Sequence, residues 1–242
     1  MRALKAQTLA KNKRGLNNMT YTTTIYKKNI HNLEDYKFKV LKPSTNKKLG
    51  KKVLKGQFKD YKFFTLTLTE RATCPSDCFH WSTCYGNNMP FAHRMDASNE
   101  KLLTSRIYED IKALKGKKAM IRLHILGDFF SVSYVMFWDM ILKDFPNIAI
   151  YGYTANNIKS KLEKSRNIAS TISVLHSLHK ERFSIRFSND LDNQFSANSF
   201  DVVKPVKGKS ILCPVQEDKT PNCGACGLCW SSTDKQIIFI TH

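Results

Sequence analysis

A chain of 242 residues, 42% of them hydrophobic, can form one large domain or a domain with a small appendage, so its core need not depend on metal or disulfide staples. Its apolar runs, around Phe129 and Ile237, are too short to span a bilayer, which excludes an integral helical membrane protein. An odd count of seven cysteines, abundant lysine and an opening segment without a secretory leader argue against a disulfide scaffold and for a reducing, cytoplasmic compartment.

Residues 1–61 read as a basic, partly flexible extension. Met1 to about Asn18 lacks a periodic apolar face and reads as an arm, Thr20 to Ile25 as a short strand, and Lys42-Pro43 through Lys52 as a loop. The first 62 residues hold 17 Lys/Arg against 3 Asp/Glu, which accounts for 14 of the net charge of +19. Such a density attracts a polyanion, and nucleic acid, with DNA favoured over RNA, is the expected partner. Tyr21, Tyr26, Tyr36 and Phe38 stand among these lysines, where aromatic rings can stack on unpaired bases. A merely solvated basic segment would have the same composition.

From Lys62 the pattern becomes regular, and residues 62–200 read as the core. Lys62 to Thr69 alternates as a strand, with Phe64, Leu66 and Leu68 opposite Thr65, Thr67 and Thr69. Leu103, Ile107, Ile111 and Leu114 predict a helix over Ser98 to Leu114, stopped by Gly116. Strands follow at Met120 to Leu126, Ile148 to Thr154 and Phe183 to Ser188, with helices at Tyr134 to Leu142 and at Ile158 to Leu178, the latter with a break. The tail, 201–242, shows short strands at Val202 to Val206, Ile211 to Pro214 and Ile237 to Ile240 around a cysteine cluster.

Strands alternating with helices predict an α/β fold with parallel strands. Several of these strands are apolar on one face only: Arg122, His124 and Asp128 oppose Ile121, Leu123 and Ile125, and Ser184, Arg186, Ser188 and Asp190 oppose Phe183, Ile185 and Phe187. A full or partial (β/α) barrel with a polar lumen accommodates that pattern, and its chemistry would gather where strands end. Asp128, Asp190 and His124 are the candidate catalytic groups; Arg122, Arg186, Ser188 and Asn189 are candidates for binding an anionic substrate. Asp128 would serve equally as a helix cap, and Asp190 as the centre of an Asx turn. His93, His176 and His179 read as ordinary surface or core polar groups.

The cysteines divide into Cys74, Cys78, Cys84 and Cys213, Cys223, Cys226, Cys229. Four thiolates at these intervals, with Gly224 and Gly227 easing the turns, suit a closed zinc site or an iron–sulfur cluster. Three thiolates after a strand would form a second metal site with a coordination position left open, in a loop whose Pro75, His80, Trp81 and Tyr85 would equally serve to fix its shape. His242 stands beyond the last strand, where it would be available to complete a site.

The segments Thr73-Cys74-Pro75-Ser76-Asp77-Cys78, Arg122 to Ser131, Tyr153-Thr154, Cys213-Pro214 and Cys223 to Cys229 resemble the phage "gene product 88" family over about residues 64 to 242, leaving the basic quarter outside. That family has no settled activity, so the resemblance implies a phage or mobile-element setting. The division into three and four cysteines is also similar to radical S-adenosylmethionine enzymes, which place a three-cysteine loop after the first strand of a partial barrel. Here the interval Cys74-x3-Cys78-x5-Cys84 departs from the usual one, and Gly127-Asp128 stands where a glycine-rich, glutamate-bearing motif is expected. Guanine and 7-deazaguanine transglycosylases share a barrel, strand-end aspartates and a C-terminal cysteine-rich zinc site; that resemblance implies paired roles for Asp128 and Asp190. The expectation from sequence is a nucleic-acid-directed metalloenzyme that exchanges or modifies a base, by transglycosylase chemistry first and S-adenosylmethionine radical chemistry second. A non-enzymatic zinc-containing nucleic-acid binder is the third reading. Trp81, Tyr85 or the N-terminal tyrosines would help flip a base from a duplex.

Overall fold

A computed structural model describes residues 22–231 and 235–240. The basic arm, Tyr21 and His242 lie outside the described residues. The strands are β1 (Ile30–His31), β2 (Lys42–Pro43), β3 (Lys62–Thr65), β4 (Arg94–Met95), β5 (Ala119–Leu123), β6 (Ile148–Thr154), β7 (Phe183–Ser188), β8 (Ser196–Ser199), β9 (Ser210–Leu212) and β10 (Gln236–Phe239). The helices are α1 (Glu100–Lys112), α2 (Val132–Asp144), α3 (Glu163–Leu178) and the single turn α4 (Cys223–Cys226).

Each long helix begins where its sequence supplies a cap or a change of pattern. Asn99 accepts from the Leu102 amide and Ser131 from the Tyr134 amide, which fixes the starts of α1 and α2. The helix expected from Ile158 begins only at Glu163, because 158–162 is occupied by a turn in which the Ser160 amide donates to the Asn157 carbonyl. Leu103, Ile107 and Ile111 of α1, and Ile168, Ile172 and Leu175 of α3, are buried at the spacing a helix needs to present one apolar stripe to a sheet.

One eight-stranded sheet runs in the order β2-β3-β5-β6-β7-β8-β10-β9. All neighbours are parallel except β2, which pairs antiparallel with β3. From β3 to β8 spatial order follows chain order, as a series of βα units wound in one direction gives. Among the described residues the end strands β2 and β9 each have one neighbour, so the sheet stays open. The segments read from sequence as extension, core and tail share this one sheet. The stretch 202–206, expected as a strand, is turn and coil, and the described part of the expected strand at 20–25 is irregular.

Register explains the two faces. Phe64, Ile121, Ile150 and Phe183 lie side by side on neighbouring strands and pack, directly or within the same core, under the helices. One residue along, Thr65, Arg122, Tyr151 and Ser184 form the row on the opposite face. That second face is covered in part by Leu49, Val53, Phe58 and Tyr61 from the N-terminal segment and by Trp230 from the cysteine-rich tail, packed on Phe63, Met120, Ala149 and Tyr151. No helix among the described residues is long and apolar enough to cross a membrane.

Candidate functional site

The turn after β5 is built on glycine. Gly127 has φ +82°, and a Cβ there would fall 2.6 Å from Thr73 Oγ1 and 2.7 Å from Leu68 Cβ, so the position has neither the dihedral nor the room for a side chain. This close approach brings Thr73, the residue before Cys74, against the next residue. The Asp128 amide donates to Thr73 Oγ1 (3.1 Å), whose hydroxyl donates to the Thr69 carbonyl (2.9 Å). The Asp128 carboxylate is buried and accepts from Phe129 N (2.7 Å), Thr154 Oγ1 (2.7 Å) and Asn156 Nδ2 (3.3 Å) on Oδ1, and from Ala155 N (2.6 Å) on Oδ2. Burial raises its pKa to about 6, against the pull of these donors.

The three-cysteine loop is braced from beneath. Arg94 and Glu70 form a buried ion pair at 2.7 Å, with Thr24 Oγ1 donating to the same carboxylate at 2.6 Å. Arg71, at φ +63°, donates to the Trp81 carbonyl (3.0 Å) and Asn87 Oδ1 (2.8 Å), closing the loop across its base. Further along, His80 Nε2 lies 3.0 Å from Ser199 Oγ and 3.3 Å from Asn189 Nδ2, at the ends of β8 and β7, and Asp77 accepts from Ser160 Oγ after β6. The loop therefore spans the strand ends from β3 to β8. Burial pushes the Cys74 thiol well up and Cys78 to about 11; Asp128 and the Cys84 thiol raise both further.

The four-cysteine segment lies against the other face of the sheet. Cys213, Cys223, Cys226 and Cys229 line one cavity of about 40 Å³ with Tyr153, Leu228, Trp230, Ile237 and Phe239. Asn222 caps α4 by accepting from the Ala225 amide, and Gly227, at φ +76°, ends it in the left-handed conformation, so the chain doubles back between Cys226 and Cys229. Tyr153 Oη donates to Cys229 Sγ at 3.0 Å, and the Arg122 guanidinium stacks on the Tyr153 ring with 4.4 Å to its centroid. Arg186 is fully buried and donates to the carbonyls of Cys229 (3.2 Å), Lys235 (3.2 Å), Leu228 (3.3 Å) and Ser196 (3.4 Å). Burial raises the Cys223 thiol to about 12 and Cys229 to about 11. Among the described residues no three His, Cys, Asp or Glu side chains stand close enough together to hold a single metal ion.

A family model described as Gene product 88 matches residues 39–232, about four fifths of the chain. The chain belongs to the gene product 88 family. The Gene 88 protein of Mycobacterium phage L5 is 26% identical over 163 residues, and that of Mycobacterium phage D29 is 26% identical over 170. Each alignment takes in 58% of this chain and 63% of the relative, so the chain spans somewhat less than two thirds of the length of these relatives. No solved structure matches. The family match begins upstream of the expected start at residue 64 and includes the lysine-rich stretch from residue 39. All seven cysteines of this family member lie inside it, whereas β10 lies outside.

The site residues expected from sequence separate into three places. Asp128 lies beside the three-cysteine loop, while Arg122 and Arg186 lie beside the four-cysteine segment. His124 does neither. Its φ of +53° breaks the strand alternation, and its ring turns toward the helices, 3.1 Å from Tyr134 Oη and edge-on to Phe129. Burial lowers its pKa to about 3 and keeps the imidazole neutral. Asn189, also left-handed at φ +54°, binds Ser199 with Oδ1 and meets His80 with Nδ2. Asp190 is buried one residue further on, and Ser188 is half-buried at the end of β7.

Among the aromatics proposed to stack on bases, Tyr36 is buried, and Tyr26 is tied to the Asn87 carbonyl at 2.7 Å, whereas Phe38 and Tyr85 are exposed. Asn156 and Ser199 carried no signal in the sequence, and Tyr153 and Thr154 only that of the family resemblance, because their roles depend on neighbours 26 to 119 positions away.

Proposed function

We propose that this gene product 88 family member is an iron–sulfur enzyme that uses S-adenosylmethionine for radical chemistry on nucleic acid. The observation that carries the reading is positional. A three-cysteine loop leaves the first parallel strand of an open sheet wound in chain order, and Thr73 ties it to Asp128 at the end of the second. In this reading Cys74, Cys78 and Cys84 hold a cluster through three thiolates and leave one iron for the cofactor. The chemistry of the donor set fits: these are three soft ligands on one turn-rich loop, each partly buried, and the Cys84 charge acts on both Cys74 and Cys78. The chemistry that such a cluster and S-adenosylmethionine supply together is one-electron activation of an unreactive carbon–hydrogen bond.

The chain's own groups would do the rest. Among the described residues Asp128 Oδ2 accepts from Ala155 alone, which leaves it acceptor capacity for an ammonium group near Cys74. His80, Asn189 and Ser199 close the far side of the strand ends with polar atoms able to orient a ribose or a base. The four-cysteine segment, with Arg122 and Arg186 supplying positive charge beside it, would hold a second centre. Base exchange draws less support from the same geometry. It needs one of Asp128 and Asp190 to attack a sugar carbon, which Asp128 could do only through Oδ2 because Oδ1 already accepts from three donors, and it gives the three-cysteine loop no part in the chemistry. The net charge of +19 supports nucleic acid as the substrate in this reading.

Anaerobic reconstitution with iron and sulfide, followed by assay for cleavage of S-adenosylmethionine to methionine and 5′-deoxyadenosine with dithionite as the added one-electron reductant and nucleic acid as the hydrogen donor, tests the reading. The intact chain should become brown and release 5′-deoxyadenosine. Cys74→Ala/Cys78→Ala/Cys84→Ala should retain the second centre, about four irons, and release none. A colourless zinc protein that leaves S-adenosylmethionine intact would refute it.

A further inference from the structure

At the opposite edge of the sheet, where the parallel strands begin, a cavity of about 590 Å³ is lined by six lysines: Lys39, Lys51, Lys52, Lys62, Lys117 and Lys118. Its floor is Pro43, Phe63, Phe64 and Leu114, and among the described residues no acidic side chain lines it. We propose that this cavity is a docking site for the phosphodiester backbone of a nucleic-acid strand, at the end of the sheet opposite the three-cysteine loop and next to the segment on which α4 packs through Lys48, Leu49 and Leu54.

The backbone itself forces these charges together. Lys62 opens β3, its amide donates to the Lys118 carbonyl (3.1 Å), and Lys118 immediately precedes β5. On the other side, Lys52 bridges Lys62 in antiparallel register, and the Phe63 amide donates to the Lys51 carbonyl (2.9 Å). Three adjacent backbone segments therefore set lysines in neighbouring rows, an arrangement that is unfavourable until an anion enters it. All six side chains are exposed; Lys52 pairs with Asp60 at 2.6 Å, and the same carboxylate lies within electrostatic reach of Lys118. Nothing in the apolar floor needs six ammonium groups around it.

The chemistry selects the occupant. Every cation in the cavity is a lysine, a mobile point charge that neutralises phosphate without reading a base, as non-specific grip on a strand requires. Among the described residues no guanidinium fork lines it, and no helix N-terminus faces it to grip a compact polyphosphate. An extended strand spreads its phosphates along the lysine rows instead. The site is concave, which suits a strand better than the flat face of a bilayer. Strand β5, five residues and about 17 Å long, separates the cavity from the Asp128 end, so nucleic acid held here is anchored at a distance from any chemistry there. The inference stands on the lysines alone and does not depend on the identity of the cysteine-bound metal.

The test is fluorescence anisotropy of a labelled single-stranded oligonucleotide over a salt series, with the full chain. Lys51→Ala/Lys62→Ala/Lys118→Ala should weaken binding by about tenfold or more and flatten the dependence of log affinity on log salt by about two. A variant with the same loss of charge on the helical side, Lys101→Ala/Lys164→Ala/Lys180→Ala, should keep the slope of the intact chain. An unchanged slope in the first variant, an equal loss in the second, or binding of the intact chain to anionic phospholipid vesicles but not to the oligonucleotide would each overturn the proposal. Iron content and S-adenosylmethionine cleavage, measured on the same preparations, report separately on the cysteine-bearing end.

Discussion

The hydroxyl of Tyr153 donates to Sγ of Cys229 across 3.0 Å, joining the C-terminal end of β6 to the last cysteine of the chain. Tyr153 is half-buried, its neighbour in register on β7 is Arg186, and Arg186 holds the Cys229 carbonyl. The four-cysteine segment is thus fixed to the sheet through one side chain on its sulfur and another on its backbone.

A hydrogen bond to a ligand sulfur stabilises the more negative, reduced form of an iron–sulfur centre. Tyr153→Phe should therefore leave the metal content unchanged and shift the midpoint of the C-terminal centre to more negative potential, on the order of tens of millivolts. A redox titration monitored by electron paramagnetic resonance, in the background lacking Cys74, Cys78 and Cys84, reads that shift. An unchanged midpoint would mean that the Cys229 sulfur is not a ligand of a redox-active centre.

Removing Arg186 should cost more than removing a surface arginine. Arg186→Met leaves the carbonyls of Ser196, Leu228, Cys229 and Lys235 without this donor in a buried setting, a loss of about 2–4 kcal/mol. Arg186→Lys should recover little of it, because three ammonium protons on a flexible stem cannot span the four carbonyls reached by the planar fork. Urea denaturation of the three proteins measures both effects.

His176 should make the fold sensitive to acid. Its Nε2 accepts from the Ile185 amide at 3.0 Å, and burial, followed by the Arg186 charge, lowers its pKa from 6.5 to about 4. Between those values the unfolded chain binds a proton that the folded chain does not, so stability rises with pH across the window and is lost as pH falls from 6.5 toward 4. The shift corresponds to about 3 kcal/mol. His176→Gln keeps an acceptor for Ile185 and should remove this part of the pH dependence; urea midpoints at pH 4.5 and 7.5 test it. His124, also neutral in the folded state, contributes in the same direction.

Gly127→Ala should separate the two ends of the molecule. The new methyl would meet Thr73 Oγ1 and Leu68 Cβ at a dihedral that alanine avoids, a cost of about 2–4 kcal/mol centred on the turn that holds the first cysteine loop. Hydrogen exchange should accelerate in residues 71–86, with little change in 223–230.

Much of the frame was legible in the sequence. Leu103, Ile107 and Ile111 marked α1, and the alternation through Phe183, Ile185 and Phe187 marked the helix-facing side of β7. Arg122 and Arg186 fell on the opposite face, as a period of two required. The same reasoning misplaced His124, because one left-handed residue after Leu123 ends the alternation without a glycine to announce it. It also left the inner face of the sheet open. The structure covers part of that face with residues from 49–61 and with Trp230, apolar groups whose destination no local pattern reveals.

What the sequence determined by itself was local: helix and strand periods, caps at Asn99 and Ser131, the spacing of cysteines, and the surplus of positive charge near the start of the chain. These follow from backbone geometry and side-chain chemistry within a few residues. The tertiary structure decided which distant groups meet: Thr73 with Asp128, Tyr153 with Cys229, and Lys51 and Lys62 with Lys118. Such meetings depend on which long loops packing can afford to close, and that is a property of the whole sheet and its covering layers.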